Sequence, residues 1–399
     1  MFNTVKPPSV SKVFESASTG QKLRVLFISH TYVVGVNQGK LKATADTGEV
    51  EVALLAPSNW QALEWKRVIK LETPFPEIKT YSAPVLFSGR VGAHIYNPWK
   101  IWQVINDFKP DVIQVEEEIF SLSALEVAFW AKLYRKPMVV FGWENQLRSL
   151  SFLRRWIRSF VMGATNLYLA GNQDGAEVMR SWNYQGQIEV MPQMGVDTEL
   201  FTPPAKKSPE DHNQVNIGFL GRLVPEKGLD ILLTAVRQLQ QQDLDFQVTL
   251  CGSGQSETDL REAAKIQQIA ERLIWRGAVP HEMAPIELSK FDVLVLPSRT
   301  IATWKEQFGH VIIEAMAMGI PVVGSSCGEI PHVIARDDLV FPEGNSVALA
   351  EILKRLICDR NWREEMGNYG IERVKHYYSH ERIAQRLVEQ WHKLTPILK

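Results

Sequence analysis

The stretch VLVLPSRTIATWKEQFGHVIIEAMAMGIPVVG, residues 293–324, holds the pattern from which the fold is read. Val293 to Pro297 and Ile320 to Gly324 are short continuous apolar runs, the mark of strands buried on both faces. Gly309 to Met318, between them, has the spacing of a helix. Such alternation indicates a parallel sheet covered on both sides.

The alternation extends outward from this unit. Val215 to Leu220, Phe246 to Cys251 and Leu273 to Gly277 read as strands, with Lys227 to Leu239 and Glu257 to Ile269 as helices. Before them, Pro203 to Gln214 (PPAKKSPEDHNQ) has the composition of an exposed linker. Upstream, Lys22 to His30, Val50 to Ala56, Asp111 to Val115, Pro137 to Phe141, Ala164 to Leu169 and Gln187 to Met191 repeat the strand pattern. Trp99 to Phe108 and Leu122 to Tyr134 have helical spacing. A chain of 399 residues exceeds what one core usually serves. The expectation is an α/β protein of two doubly wound, Rossmann-like domains facing a cleft, with ligands at the carboxyl ends of the strands. Its expected division is a loose leader (1–21), a first domain (22–202), the linker (203–214), a second domain (215–378) and a terminal helix (379–399) crossing back to the first domain.

A formal net charge of -1 gives no global basic field, so no nucleic-acid partner is expected. Three scattered cysteines, Cys251, Cys327 and Cys358, suggest neither a disulfide framework nor a thiolate metal site. The histidines His30, His94, His281, His310 and His332 show no ligand spacing, and no metal or cofactor is expected. No apolar run approaches the roughly 20 residues of a spanning helix. A cytoplasmic location is expected, with peripheral contact at the cytoplasmic membrane face as an open reading. That reading rests on residues 146–161 (QLRSLSFLRRWIRSFV), a basic, aromatic-bearing amphipathic stretch suited to an anionic membrane surface. An ordinary domain helix with a solvated basic face is the competing reading.

The residues able to carry chemistry cluster after strands of the second half. Gly309 falls where a loop turns into a helix, whose first amides are free to meet an anion. Glu314 interrupts the apolar run of that helix, and a buried carboxylate needs a partner. Its place suits the hydroxyls of a ribose; Glu306, on the preceding loop, suits those of a sugar or is a solvated loop acid. Gly221, Arg222 and Lys227 follow another strand, and a guanidinium fork beside a mobile ammonium suits a diphosphate. Gly252 and Gly254 mark either close backbone approach to a ligand or a simple turn. In the first half, His30 and the acids Glu116, Glu117 and Glu118 lie at strand ends and are expected to face the cleft, or to be a solvated strand end. Glu118 is taken as the candidate for catalysis or acceptor orientation.

Glu306-x-Phe-Gly309 and Glu314-Ala-Met-Ala-x-Gly-x-Pro-Val-Val, with seven residues between the two glutamates, resemble the signature of the retaining glycosyltransferase family 4, of GT-B type. The resemblance is most specific from Val215 to Val333. It implies that Glu306 holds the donor sugar and Glu314 the ribose. Gly309, His310 and Val311 would present amides to the diphosphate, Arg222 and Lys227 would neutralise the leaving nucleotide, and Gly277 to Val279 would lie beside the base. Met194-Gly-Val-Asp197 resembles the turn closing the family's first domain, and Tyr378 to Ile383 the start of its last helix. Two features depart from the family: the loop Tyr32 to Gly39 lacks paired glycines, and Glu116 to Glu118 stand where a histidine is common. The implied activity is hexosyl transfer from a nucleoside-diphosphate sugar to a hydroxyl acceptor, with a lipid-linked saccharide, glycolipid or polysaccharide precursor among the open choices. A glycoside phosphorylase of the same fold and a non-catalytic sugar-nucleotide or glycan binder are the alternatives.

Overall fold

The computed structural model describes residues 22–62, 67–204 and 214–395, so the expected leader and most of the expected linker lie outside the described residues. The first domain contains strands β1 (Leu23–Ile28), β2 (Val50–Pro57), β3 (Asn59–Ala62), β4 (Arg67–Lys70), β5 (Lys79–Ala83), β6 (Val85–Leu86), β7 (Ile95–Tyr96), β8 (Val112–Glu116), β9 (Met138–Gly142), β10 (Leu167–Ala170) and β11 (Gln187–Val190). Seven of them form a parallel sheet in the order β11-β10-β9-β8-β1-β2-β5. The pairs β3/β4 and β6/β7 are antiparallel hairpins beside it. The second domain holds β12 (Val215–Leu220), β13 (Phe246–Cys251), β14 (Leu273–Gly277), β15 (Val293–Leu296), β16 (Val322–Ser325) and β17 (Val340–Phe341), parallel in the order β14-β13-β12-β15-β16-β17.

Helices α1 (Gly39–Asp46), α2 (Pro98–Phe108), α3 (Leu122–Leu133), α4 (Phe152–Met162) and α5 (Gln173–Ser181) belong to the first domain. The second has α6 (Leu229–Gln240), α7 (Glu257–Ile266), α8 (Ala284–Leu288), α9 (His310–Ala317), α10 (Ile330–Ile334), α11 (Ser346–Cys358) and α12 (Arg360–Tyr377), followed by α13 (His380–Leu394). Several starts are set by capping side chains that accept a free amide: Asn97 before α2, Ser121 before α3, Asn172 before α5 and Ser379 before α13. The reading of Lys227 as a helical residue is corrected: Pro225–Lys227 form a 3-10 turn and α6 starts at Leu229. Gly228 between them has φ 64, and a Cβ there would strike the Pro297 carbonyl. The edge strand β5 and the helices α1 and α5 escaped the sequence reading, since none of them carries a continuous apolar run.

The apolar runs of β1, β8, β9 and β10 are buried on both faces, as a covered parallel sheet requires. One face packs against α2, α3, α4 and α5, the other against α1 and α13. Helix α13 therefore crosses back to the first domain. Ile383, Leu387, Val388 and Trp391 enter that core. The Trp391 ring meets Phe27 edge-on at 5.6 Å, and its Nε1 donates to Gln114 Oε1 at 2.9 Å.

Trp391→Ala empties the largest fully buried side chain of this layer and strands the Gln114 amide oxygen. It should cost roughly 3–5 kcal/mol, read as a lower midpoint in urea unfolding of the full chain. A loss under about 1 kcal/mol would show that α13 does not brace the first domain.

Candidate functional site

The second domain gathers its polar groups where β12 and β15 end. Lys227, on the turn after β12, brings Nζ to 2.5 Å from Glu306 Oε2, and Ser298 Oγ donates to the same oxygen at 2.9 Å. Glu306 is 7% exposed, which rules out the solvated loop acid. Its backbone is held as well, since its carbonyl accepts the Glu329 amide at 3.1 Å. The Lys227 ammonium also lies 5.0 Å from the centre of the Trp304 ring. Ser298 was missed by the sequence reading, though its place two residues after the end of β15 is the signal that finds it.

Gly309 caps α9 with φ 79 and ψ 65, a left-handed conformation that turns the loop sharply into the helix. The amides of His310 and Val311 therefore begin α9 without helical carbonyl partners. His310, the first residue of α9, is exposed, and its ring lies 5.0 Å from that of Phe308. Glu314, one turn further, is largely buried, and burial alone pushes its carboxyl up to about 7. Its side chain makes no hydrogen bond or ion pair with any of the described residues. The glycine loops are laced to each other. Gly221 N donates to Cys251 O, Leu223 N to Ser253 O and Gly252 N to Gly277 O. A Cβ on Gly252 or Gly254 would collide with the backbone of Gly221 or Leu223, so their close approach is to the neighbouring loop. Gly277, φ 73, faces open space, and Val279 packs partly on the core. Arg222 is exposed and sits loosely at 3.9 Å from Glu226, apart from the Lys227–Glu306 pair.

Across the cleft the first-domain acids separate. Glu116, expected to face the cleft, is fully buried: its carboxylate accepts from Lys40 Nζ (2.6 Å), Gln114 Nε2 (2.7 Å), Tyr32 OH (2.6 Å) and Gln193 Nε2 (3.0 Å). Glu117 is also fully buried and meets His30 Nδ1 at 2.6 Å and His94 Nε2 at 3.3 Å. Neither is a solvated strand end. Sequence spacing hid this cluster of His30, His94 and Glu117, whose ligand-type atoms lie within 4.8 Å of one another. Glu118 accepts the Trp143 amide at 2.8 Å, and burial, aided by the charges of Glu144 and Glu117, pushes its carboxyl up to about 8.

The two walls touch. Gln307 Nε2 donates to Trp143 O (3.1 Å), Asn145 Nδ2 to Lys305 O (3.3 Å) and Gln173 N to Glu329 Oε2 (2.8 Å), while Lys305 pairs with Asp174 at 2.6 Å. A cavity of about 540 Å³ opens beside these contacts, lined by Asn145, Arg148, Asp174, Thr300 and Lys305 among others. It adjoins Glu306 without enclosing it.

Residues 203–373 match the family described as glycosyl transferases group 1. Among curated proteins, a GDP-mannose-dependent monoacylated alpha-(1-6)-phosphatidylinositol monomannoside mannosyltransferase of Corynebacterium glutamicum is 31% identical over 48% of this chain and 53% of its own. An amylovoran biosynthesis glycosyltransferase of Erwinia amylovora is 34% identical over 41% and 40%. The chain thus matches about half the length of these relatives. Among solved structures, sucrose-phosphate synthase of Thermosynechococcus elongatus superposes with TM-score 0.69 at 18% identity, covering 94% of this chain and 99% of that one. The Anabaena protein HepE, in complex with UDP, gives 0.67 at 18%, covering 94% and 100%. These likenesses establish the two-domain GT-B fold.

The Glu314 titration gives a stability test. The folded chain keeps this proton up to about 7, whereas the unfolded chain releases it near the ordinary 4.5. Between those values the unfolded state binds fewer protons, so the stability of the ligand-free protein falls as pH rises, by up to roughly 3 kcal/mol at pH 8. Glu314→Gln lacks this slope. Its thermal midpoint should match wild type at pH 5 and exceed it at pH 8; two parallel pH curves would remove the assignment.

Proposed function

We propose that this chain, a GT-B protein related through residues 203–373 to the glycosyl transferases group 1, moves a hexose-like sugar from a nucleoside-diphosphate sugar to a hydroxyl acceptor. The observation that carries the reading is the Lys227–Glu306–Ser298 clamp at 2.5 and 2.9 Å, set beside a left-handed Gly309 and the unpartnered Glu314. An anion seated at the start of α9 would find free amides and a cation within one site. Glu314 would take the ribose hydroxyls, whose donors compensate its buried carboxylate. Glu306 would orient the donor sugar, with Lys227 and Ser298 holding one carboxylate oxygen and leaving the other free. The loops ending at Gly221, Gly252, Gly254 and Gly277 to Val279 would floor the nucleotide.

Most of the barrier in such a transfer comes off by stabilising the negative charge that grows on the departing diphosphate. Lys227 and the α9 amides are fixed in place for this, while the exposed Arg222 would have to swing in. Contacts such as Gln307 to Trp143 would exclude water when the walls close. Transfer with retention at the anomeric carbon fits this donor half, because the leaving oxygen itself can take the acceptor proton. The raised carboxyl of Glu118 would be a hydrogen-bond donor at neutral pH and would serve the acceptor side. The UDP of HepE and the GDP-mannose of the Corynebacterium relative make uridine and guanosine sugars the first donors to try.

Lipid-bearing acceptors are favoured by the outer surface of the helical layer. Helix α4 buries Ile157 and Val161 but exposes Phe152 (78%), Leu153 and Trp156 (52%). Its neighbours expose Phe129 and Leu133 from α3, Trp99 and Trp102 from α2, and Phe87 at the β6/β7 tip. Arg154 and Arg158 spend their guanidinium faces on Phe120 and Trp182, so among the arginines of the expected basic stretch Arg148 and Arg155 are the exposed ones. Among the described residues no helix is long and apolar enough to cross a membrane. Contact would be peripheral, through aromatic side chains.

A thermal-shift screen of UDP, GDP and ADP sugars followed by nucleotide-release assays tests the donor assignment. Lys227→Ala should lower turnover about 10²-fold or more, and Arg222→Ala by less. Unchanged kinetics in both variants would overturn their roles, and phosphate-dependent sugar-phosphate release would point to phosphorolysis instead. In vesicle flotation, the protein should rise with phosphatidylglycerol-containing vesicles and lose most of that binding in a Phe152→Glu/Trp156→Glu variant. No flotation with or without anionic lipid would remove the membrane reading.

A further inference from the structure

Three side chains from distant segments meet above the first sheet. His30 follows β1, Glu117 follows β8, and His94 stands just before β7. Glu117 Oε1 accepts the His30 backbone amide at 3.0 Å and lies 2.6 Å from His30 Nδ1. His94 Nε2 stands 3.3 Å from the same oxygen, on the buried side. The His30 ring is held from several directions, with centroid distances of 4.5 Å to Trp60, 5.2 Å to His94 and 6.5 Å to Trp143.

Glu117 and His94 have no exposure, while the His30 side chain keeps 13%. A carboxylate fixed beside Nδ1 keeps the proton of a neutral imidazole on that atom and leaves the lone pair on Nε2. The hydrogen bond of the His30 ring to Glu117 is made through Nδ1, Nε2 makes none with the described residues, and the side chain keeps its 13% exposure. Trp143 links this ring to the donor side, because its carbonyl accepts Gln307, the chain neighbour of Glu306.

We propose that His30 is the acceptor-binding residue of the cleft, its Nε2 accepting a hydrogen bond from the attacking hydroxyl while Glu117, backed by His94, sets the tautomer and plane of the ring. The proposal rests on the transferase reading and adds the acceptor half to it. His30 touches the substrate; Glu117 and His94 are positioning residues. No proton transfer to His30 is required, since the hydroxyl proton can leave with the departing phosphate oxygen as the new carbon–oxygen bond replaces the old one.

The test combines a spectrum with kinetics on the full chain. In protein labelled with ¹⁵N-histidine, one ring, assigned by its loss in His30→Gln, should show a protonated Nδ1 and an unprotonated Nε2, and Glu117→Gln should shift it toward the other tautomer. With the best donor of the screen and n-octyl β-D-glucopyranoside as acceptor probe, His30→Ala should raise acceptor KM tenfold or more and leave UDP or GDP affinity within twofold. His30→Gln, which returns an amide oxygen near the place of Nε2, should recover part of the loss. A ring protonated on Nε2, unchanged kinetics in His30→Ala, or stoichiometric zinc that shifts both imidazoles would overturn the proposal while the transferase reading stands. A wild-type protein that consumes no nucleotide sugar would sink both.

Discussion

A carboxylate with no exposure at the end of a central strand must find its hydrogen bonds within the protein. Glu116 does so with four donors: Lys40 from α1, Tyr32 from the loop after β1, Gln114 from its own strand, and Gln193 from the segment that leaves β11 for the second domain. Gln114 in turn accepts the indole of Trp391 from α13. One buried charge thereby ties together the helix α1 side of the sheet, the exit toward the second domain and the returning helix. Burial works against the Lys40 ammonium and the Glu116 charge works for it. Removing either partner of such a pair leaves an uncompensated charge, typically a loss of about 3–5 kcal/mol.

With Glu116 anchored inward, the next two residues are presented to different surroundings. Glu117 falls against two imidazoles and stays ionised; burial, aided by the Glu144 and Glu117 charges, pushes the Glu118 carboxyl up to about 8 against the opposing hydrogen bond from the Trp143 amide. Consecutive carboxyls with opposite protonation states are what a cleft needs if one group must orient a neutral ring and another must donate a hydrogen bond. The second domain repeats the contrast. Glu306 is matched by Lys227, whereas the Glu314 side chain has no partner among the described residues.

Much of the proposed donor side was legible because its residues are local in sequence. Glu306, Gly309 and Glu314 lie on one loop and one helix, and the loop–helix transition that Gly309 makes with φ 79 is the one its position in the chain suggested. The proposed acceptor side was not legible. Glu116, Glu117 and Glu118 look alike in a sequence, and only their neighbours distinguish a core anchor, an imidazole partner and a raised acid. The basic stretch at 146–161 shows the same effect: two of its arginines turn out to lie on aromatic rings of their own domain, and its aromatic side chains face outward.

What the sequence by itself determined was the alternation of strands and helices and the turn from loop to helix at Gly309. Strands covered on both faces must be continuously apolar, so they announce themselves whatever surrounds them. What only the tertiary structure decided was which strand ends are neighbours. Pairing of β8 with β1 brings Glu117 onto His30, 87 residues away in the chain, and the β6/β7 hairpin brings His94 beneath them. Proximity at the carboxyl edge of a parallel sheet follows the order of strands in space, and that order is set by packing between layers rather than by any spacing along the chain.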